Sequence, residues 1–125
     1  CLPFQGCELK RLYLATINSW NGLVAAARSE QAIREELVIL LIACPLAFFV
    51  GVTTARAVEL ILVVLLLLAV ELLNTAIEKL ADRLTTDHDE QIGRVKDMGS
   101  AAVLAALLIA GIFWIFAIAE RLGIV

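Results

Sequence analysis

Five polar side chains recur at helical spacing in one otherwise apolar segment of the sequence: Glu71, Asn74, Thr75, Glu78 and Asp82. At about 100° per residue, these positions fall within about 80° of one another on a helix. They therefore predict one polar stripe, and three of its five members are acidic. Carboxylates in the near absence of histidine are typical of a site for a hard cation such as Mg²⁺ rather than for zinc.

Residues from two other segments are predicted to reach this polar stripe. If the chain turns near Thr86, Lys96 and Asp97 come level with residues 75–78, and Arg94 can also approach. A further acidic residue, Glu30, precedes the first apolar run at the same membrane interface. The predicted cluster at this edge comprises Glu30, Glu71, Asn74, Glu78, Asp82, Lys96 and Asp97.

The cations in this cluster suit the phosphates of a nucleotide. The sequence contains no GxxxxGK[ST] pattern, so any ATP site would differ from the P-loop design. The alternative is that the stripe only fixes helix packing through interhelical hydrogen bonds. Four or five polar residues on one face favour a functional site. Four other acidic residues, taken singly, are interpreted as solvated surface charges: Glu35, Glu59, Asp89 and Glu90.

The elements that position the stripe are predicted to be membrane helices. The chain is 62% hydrophobic with a mean hydropathy of +0.93, whereas soluble domains are about 45–50% apolar. Its net charge of −3 argues against a nucleic-acid binder, which needs a basic face. Apolar runs predict three transmembrane helices, at about residues 35–52, 57–82 and 97–119. Pro45 is expected to kink the first of these.

Local signals predict the remaining organisation. Residues 1–8 are left uninterpreted, and residues 9–29 are predicted to form an amphipathic helix that either lies in the membrane surface or packs on the other helices. Residues 30–122 form the three-span domain. A short connection is expected around residues 53–56. Asp87, followed by Glu90, predicts the N-cap of the last helix, which would begin near His88.

Charge and small residues predict orientation and assembly. Eight Lys and Arg residues lie before the first span or between the second and third, and two lie on the opposite side. This predicts a cytoplasmic N-terminus and an outer C-terminus. Ala102, Ala106 and Ala110 recur at a spacing that lets membrane helices approach closely. Three helices enclose a cleft poorly, so a homo-oligomer is expected.

Two dense motifs resemble those of the prokaryotic diacylglycerol kinases. Residues 71–82 read ELLNTAIEKLAD, and residues 94–102 read RVKDMGSAA. Two shorter segments resemble the family's N-terminal pattern, NSWNG at residues 18–22 and AIREE at residues 32–36. The resemblance covers about residues 9–122.

The resemblance implies a homotrimer of three-span subunits in the bacterial inner membrane, with active sites shared between subunits and transfer of the ATP γ-phosphate to a lipid hydroxyl. It implies Glu71 as the general base, in contact with the lipid, and Glu30 and Glu78 as ligands of the Mg²⁺ bound to ATP. Other residues would contact the nucleotide, its phosphates or the lipid substrate: Arg11, Ser19, Trp20, Asn74, Lys96, Asp97 and Ser100.

The residues are compatible with more than one function. The leading hypothesis is Mg²⁺- and ATP-dependent phosphorylation of diacylglycerol, and its close alternative is phosphorylation of undecaprenol. The sequence Arg34-Glu35-Glu36 favours diacylglycerol. A carboxylate-based transporter would place its polar groups at the membrane midplane, whereas here they crowd one edge. An accessory structural subunit would leave the polar stripe unexplained.

Overall fold

The computed structural model describes residues 4–85 and 87–125. It contains four α-helices: α1 (Phe4–Ser29), α2 (Gln31–Val50), α3 (Thr54–Leu84) and α4 (Glu90–Arg121). No strand occurs in either described range, so the predicted all-α fold is confirmed. The first helix begins at Phe4, inside the segment that the sequence left uninterpreted.

Two of the four helices, α3 and α4, are long and apolar enough to cross a membrane by length and composition. The apolar part of α2 is shorter, because Arg34, Glu35 and Glu36 lie in its first turns and the uncharged run spans only residues 37–50. A helical span needs about 20 residues. The first predicted span, at about residues 35–52, therefore stays a prediction.

Only 17% of the most apolar 18-residue stretch of α4 is buried by the rest of the chain. The core helix of a soluble protein would be mostly covered by its own chain, so this surface is open to lipid or to another subunit. Large apolar side chains on α2, such as Leu41 and Phe49, are also more than two-thirds exposed, at 74% and 72%. These exposed apolar faces of α2 and α4 are typical of a protein that is embedded in a membrane.

The central helix is α3, which packs against α2 on one side and α4 on the other. Small residues allow the close approach: Ala47, Ala57 and Ala117 surround the fully buried Leu60. On α4 the buried series is Gly99, Ala106, Ala110 and Ala117. Of the predicted small-residue stripe, Ala106 and Ala110 are buried, whereas Ala102 is exposed.

An ionic clasp joins the start of α3 to the end of α4. The Arg56 Nε lies 3.1 Å from the Glu120 carboxylate, and its Nη1 lies 2.6 Å from the carboxylate of Glu59. The guanidinium also stacks over the Phe116 ring, 5.0 Å from the ring centroid. Glu59 is therefore paired, although its side chain is still 45% exposed to solvent. The clasp lies at the opposite end of α3 from the polar stripe.

The connection between α2 and α3 differs from the predicted one. It consists of residues 51–53, because α3 already begins at Thr54. The Thr53 hydroxyl caps the helix by accepting a hydrogen bond of 3.1 Å from the Arg56 N–H. A Cβ atom at Gly51 would lie 2.8 Å from the Ala57 nitrogen, so the tight crossing requires glycine.

The predicted start of α4 was wrong by two residues. The N-cap is Asp89, whose Oδ1 accepts hydrogen bonds of 2.9 and 3.0 Å from the Gln91 and Ile92 N–H groups. Asp87 instead lies in a turn, where its N–H donates to the Thr85 hydroxyl at 3.0 Å. Thr86, at the centre of the predicted turn, lies outside the described residues. The local pattern favoured Asp87, because an acidic residue, Glu90, follows it three positions later, whereas Ile92 stands at that place after Asp89.

Candidate active site

The polar stripe of α3 runs from the bundle interior to its exposed end. Asn74 and Thr75 are 7% and 6% exposed and are buried against neighbouring helices. Glu71 is half-buried, and Glu78 and Asp82 are exposed. A buried amide and hydroxyl on a membrane helix must face protein rather than lipid, because neither can be left unpaired in hydrocarbon at low cost. The stripe therefore faces the interior of the bundle.

Asn74 connects the stripe to α4. Its Nδ2 donates a hydrogen bond of 3.2 Å to the Glu78 Oε1, which fixes the direction of that carboxylate. Its Oδ1 is buried without a partner among the described residues. That oxygen lies against Gly99 of α4, where it would contact any added Cβ atom.

We expect Gly99→Ala to destabilise the protein by about 1–3 kcal/mol, the usual cost of inserting a methyl group into a packed interface. The new Cβ would displace the Asn74 amide and with it the hydrogen bond to Glu78. Unfolding of the purified protein in mixed micelles, followed by circular dichroism, measures the loss.

Gly93→Ala is the matched control for this prediction. Gly93 lies in the same helix, and nothing lies within 4 Å of an added Cβ there. Alanine should stabilise that position by up to about 1 kcal/mol through its helix propensity. Equal stability of the two variants would refute the close contact at Gly99.

Glu30 is positioned by the junction between α1 and α2. It is the N-cap of α2 with an extended backbone, and its side chain makes no capping hydrogen bond. Arg34 holds the junction, since its Nη1 donates to the carbonyl oxygens of Ala27 and Arg28 at 2.9 and 3.1 Å. From α3, the Lys79 Nζ lies 3.6 Å from the Glu30 Oε1. The carboxylate is thus held against α3.

The structure brings four carboxylates, from α3 and from the start of α2, into electrostatic interaction with one another. The carboxylate of Glu71 interacts with those of Glu30 and Glu78, and also with that of Glu36 on α2. Like charges at short range repel unless a cation neutralises them. The arrangement therefore favours a cationic ligand.

Two residues of this site were not among the predicted site residues, Glu36 and Lys79. The Oε2 of Glu36 is buried and has no partner in the described part of the chain. A signal for it existed: Glu36 lies three residues after the buried Ile33 and seven before the buried Ala43, on the inward face of α2. No local pattern in the sequence identifies Lys79 as a residue of the site.

Of the α4 residues predicted to reach the polar stripe, Lys96 does so and Arg94 does not. Lys96 donates a hydrogen bond of 2.6 Å to Asp82, near the open end of the stripe. Arg94, expected to approach the stripe, instead bonds Glu90 one turn earlier at 3.0 Å. Asp97 is exposed, and so is Ser100, which follows the buried Gly99.

The predicted residues of α1 are more dispersed. Ser19 lines a cavity of about 450 Å³ between α1 and α3, together with Thr75 and Lys79. Its hydroxyl donates to the Ala15 carbonyl at 2.8 Å. Arg11 pairs with Glu8 at 3.1 Å, and Trp20 is 66% exposed. The structure thus places Ser19 beside the stripe and leaves Arg11 and Trp20 on the outer surface.

The carboxylates of this site are few for a magnesium ion bound by protein alone. Within residues 4–85 and 87–125, no group of three or more His, Cys, Asp or Glu is arranged to hold a metal by itself. Mg²⁺ usually takes only one or two carboxylates and completes its shell with phosphate oxygens and water. Glu30 and Glu78 supply such carboxylates, so the residues fit Mg²⁺ that arrives with a nucleotide.

Comparisons with known proteins give a consistent result. Residues 17–118 match the family model described as prokaryotic diacylglycerol kinase. The chain is 44% identical over 111 residues to a protein of Haemophilus influenzae named diacylglycerol kinase, covering 89% of this chain and 94% of that protein. It is 42% identical over 113 residues to the Escherichia coli K12 protein of the same name, covering 90% and 93%. A Pseudomonas aeruginosa protein with that name is 40% identical over 113 residues, covering 90% and 92%.

Proposed function

This chain belongs to the prokaryotic diacylglycerol kinase family, and we propose that it transfers the γ-phosphate of ATP to the free hydroxyl of diacylglycerol. The product would be phosphatidic acid. The observation that carries the proposal is the electrostatic interaction of Glu71 with Glu30 and Glu78 at one end of an apolar bundle. A lipid hydroxyl and a nucleotide can meet only at such a boundary between membrane and water.

Each carboxylate has a separate role in the proposed reaction. Glu71 lies deepest in the stripe and accepts the proton of the lipid hydroxyl as its oxygen attacks the γ-phosphorus. The new oxygen–phosphorus bond forms as the bond from the γ-phosphorus to the bridging oxygen of ADP breaks. Glu30 and Glu78 would hold Mg²⁺, which supplies charge neutralisation at the phosphates when bound.

The remaining residues position the two substrates. Asn74 orients Glu78 through its hydrogen bond, and Lys96 carries a charge suited to phosphate. Asp97 would also contact the nucleotide. Ser19 lines the cavity beside α3, and we propose that Arg11, Trp20 and Ser100 contact the nucleotide or lipid at the exposed rim.

We further propose that α2, α3 and α4 all cross the bacterial inner membrane. The apolar run of α2 is short, but exposed flanking turns and local thinning of the bilayer can accommodate it. The excess of Lys and Arg before α2 and between α3 and α4 would put the site in the cytoplasm, where ATP is available. The exposed surface of α4 supports contact with lipid or with other subunits of a homotrimer.

The purified protein, in mixed micelles with γ-labelled ATP and Mg²⁺, tests this function directly. We expect labelled phosphatidic acid when diacylglycerol is present, and no labelled lipid when the Mg²⁺ is chelated. Undecaprenol in place of diacylglycerol tests the alternative acceptor. Faster labelling of undecaprenol would reverse the substrate assignment. No labelling of either lipid by the folded protein would reject the kinase function.

A further inference from the structure

Lys79 links three helices at the candidate site. It follows Glu78 directly on α3, and its Nζ donates a hydrogen bond of 2.8 Å to the hydroxyl of Ser29, the last residue of α1. The same nitrogen lies 3.6 Å from the Oε1 of Glu30, the N-cap of α2. The ammonium therefore neutralises one of the carboxylates proposed to bind metal.

We propose that Lys79 competes with the divalent cation for the carboxylate of Glu30, and so sets the affinity of the site for metal. The inference rests on the proposed function, because it takes Glu30 as a metal ligand. An ammonium paired with a carboxylate reduces the negative charge available to a second cation, and it also repels that cation. Binding of metal to Glu30 is therefore stronger when Lys79 withdraws from the Oε1 atom.

The geometry provides for such a withdrawal. The lysine ammonium sits on a flexible four-carbon stem and has three donors. Ser29 supplies an acceptor that does not depend on Glu30, so the ammonium can release the carboxylate and still keep a hydrogen bond. The pair is half-exposed, with side-chain exposures of 51% for Lys79 and 38% for Glu30. Water can therefore solvate the ammonium as it moves.

Lys79→Met tests the proposal, because methionine keeps an unbranched stem and helix propensity while removing the charge. We expect Mn²⁺, added with a non-hydrolysable ATP analogue, to bind the Lys79→Met protein in micelles about two- to fivefold more tightly than it binds the unsubstituted protein, the range that a half-exposed ion pair supplies. The change in water-proton relaxation rate on binding of Mn²⁺ to the protein measures this affinity without turnover. The Mg²⁺ concentration that gives half-maximal lipid phosphorylation should fall by a similar factor.

Two controls separate competition from general electrostatics. Lys10→Met removes the same charge from an exposed position of α1 and should leave Mn²⁺ affinity unchanged. In a Glu30→Gln background, Lys79→Met should raise Mn²⁺ affinity by a clearly smaller factor, because the competition for the carboxylate is gone and only the direct repulsion of the cation remains. This double-mutant cycle isolates the pair. Circular dichroism of each variant confirms the helical fold.

The contrary outcomes are distinct. Weaker Mn²⁺ binding by Lys79→Met would show that Lys79 orients Glu30 for the metal, which overturns competition. An unchanged affinity, an equal effect in the Glu30→Gln background, or no Mn²⁺ binding by the unsubstituted protein would overturn it as well. The labelling assay is read separately: product without a Lys79 effect rejects only this inference, whereas absence of product rejects the proposed kinase function.

Discussion

Glu78→Gln is expected to lower the rate of lipid phosphorylation by about 10²–10³-fold, since a metal ion supplies several kcal/mol of charge stabilisation and each 1.4 kcal/mol is tenfold in rate. The substitution removes a negative charge and changes little else. Glutamine can still accept the hydrogen bond that Asn74 donates to the Glu78 Oε1, so the packing of α3 against α4 is retained. The labelling assay with diacylglycerol measures the loss.

The Mg²⁺ dependence identifies the cause of that loss. If Glu78 holds the metal, a higher Mg²⁺ concentration should restore part of the rate. Glu90→Gln is the matched control, because Glu90 is an exposed carboxylate at the start of α4 and pairs only locally with Arg94. It should retain nearly full activity. Equal rates for Glu78→Gln and the unsubstituted protein would remove Glu78 from the metal site.

Glu71→Gln is expected to abolish transfer while sparing nucleotide binding. An amide cannot accept the proton of the lipid hydroxyl, and loss of a general base costs about 10²–10⁴-fold in rate. Glu71 is half-buried and lies closer to the apolar run than Glu78 does, as the proposed contact with the lipid rather than with ATP requires. Both the rate with diacylglycerol and the affinity for a non-hydrolysable ATP analogue should be measured.

The two readouts separate a base from a metal ligand. For Glu71→Gln, added Mg²⁺ should restore nothing, and the analogue should bind as tightly as before or slightly more tightly, because one repelling carboxylate has been neutralised. A variant that loses analogue affinity and recovers with Mg²⁺ would place Glu71 in the metal site. A variant with full activity would leave the proton acceptor unassigned.

Much of the site followed from local sequence. The residues from Glu71 to Asp82 lie on one continuous helix, so their common face was fixed by helical periodicity alone. The resemblance to prokaryotic diacylglycerol kinases was confirmed by the family match. The approach of Lys96 to the stripe followed from the hairpin of two antiparallel helices, although its partner, Asp82, lies nearer the turn than expected.

Other features depended on side chains that approach across the bundle. The clasp joins Arg56 to Glu120 across 64 positions of sequence. No periodicity encodes such a pairing, since it depends on the rotation of each helix about its own axis.

The sequence by itself determined the helices, their apolar faces and the identity of the polar stripe, because each of these arises from interactions within a few turns of one chain segment. Only the tertiary structure decided which charges meet: Lys79 with Glu30, Lys96 with Asp82, and the half-buried Glu36 with Glu71. These contacts depend on helix crossing and on the reach of long side chains. Helix crossing and side-chain reach both follow from packing of the whole bundle, so a local sequence pattern cannot predict them.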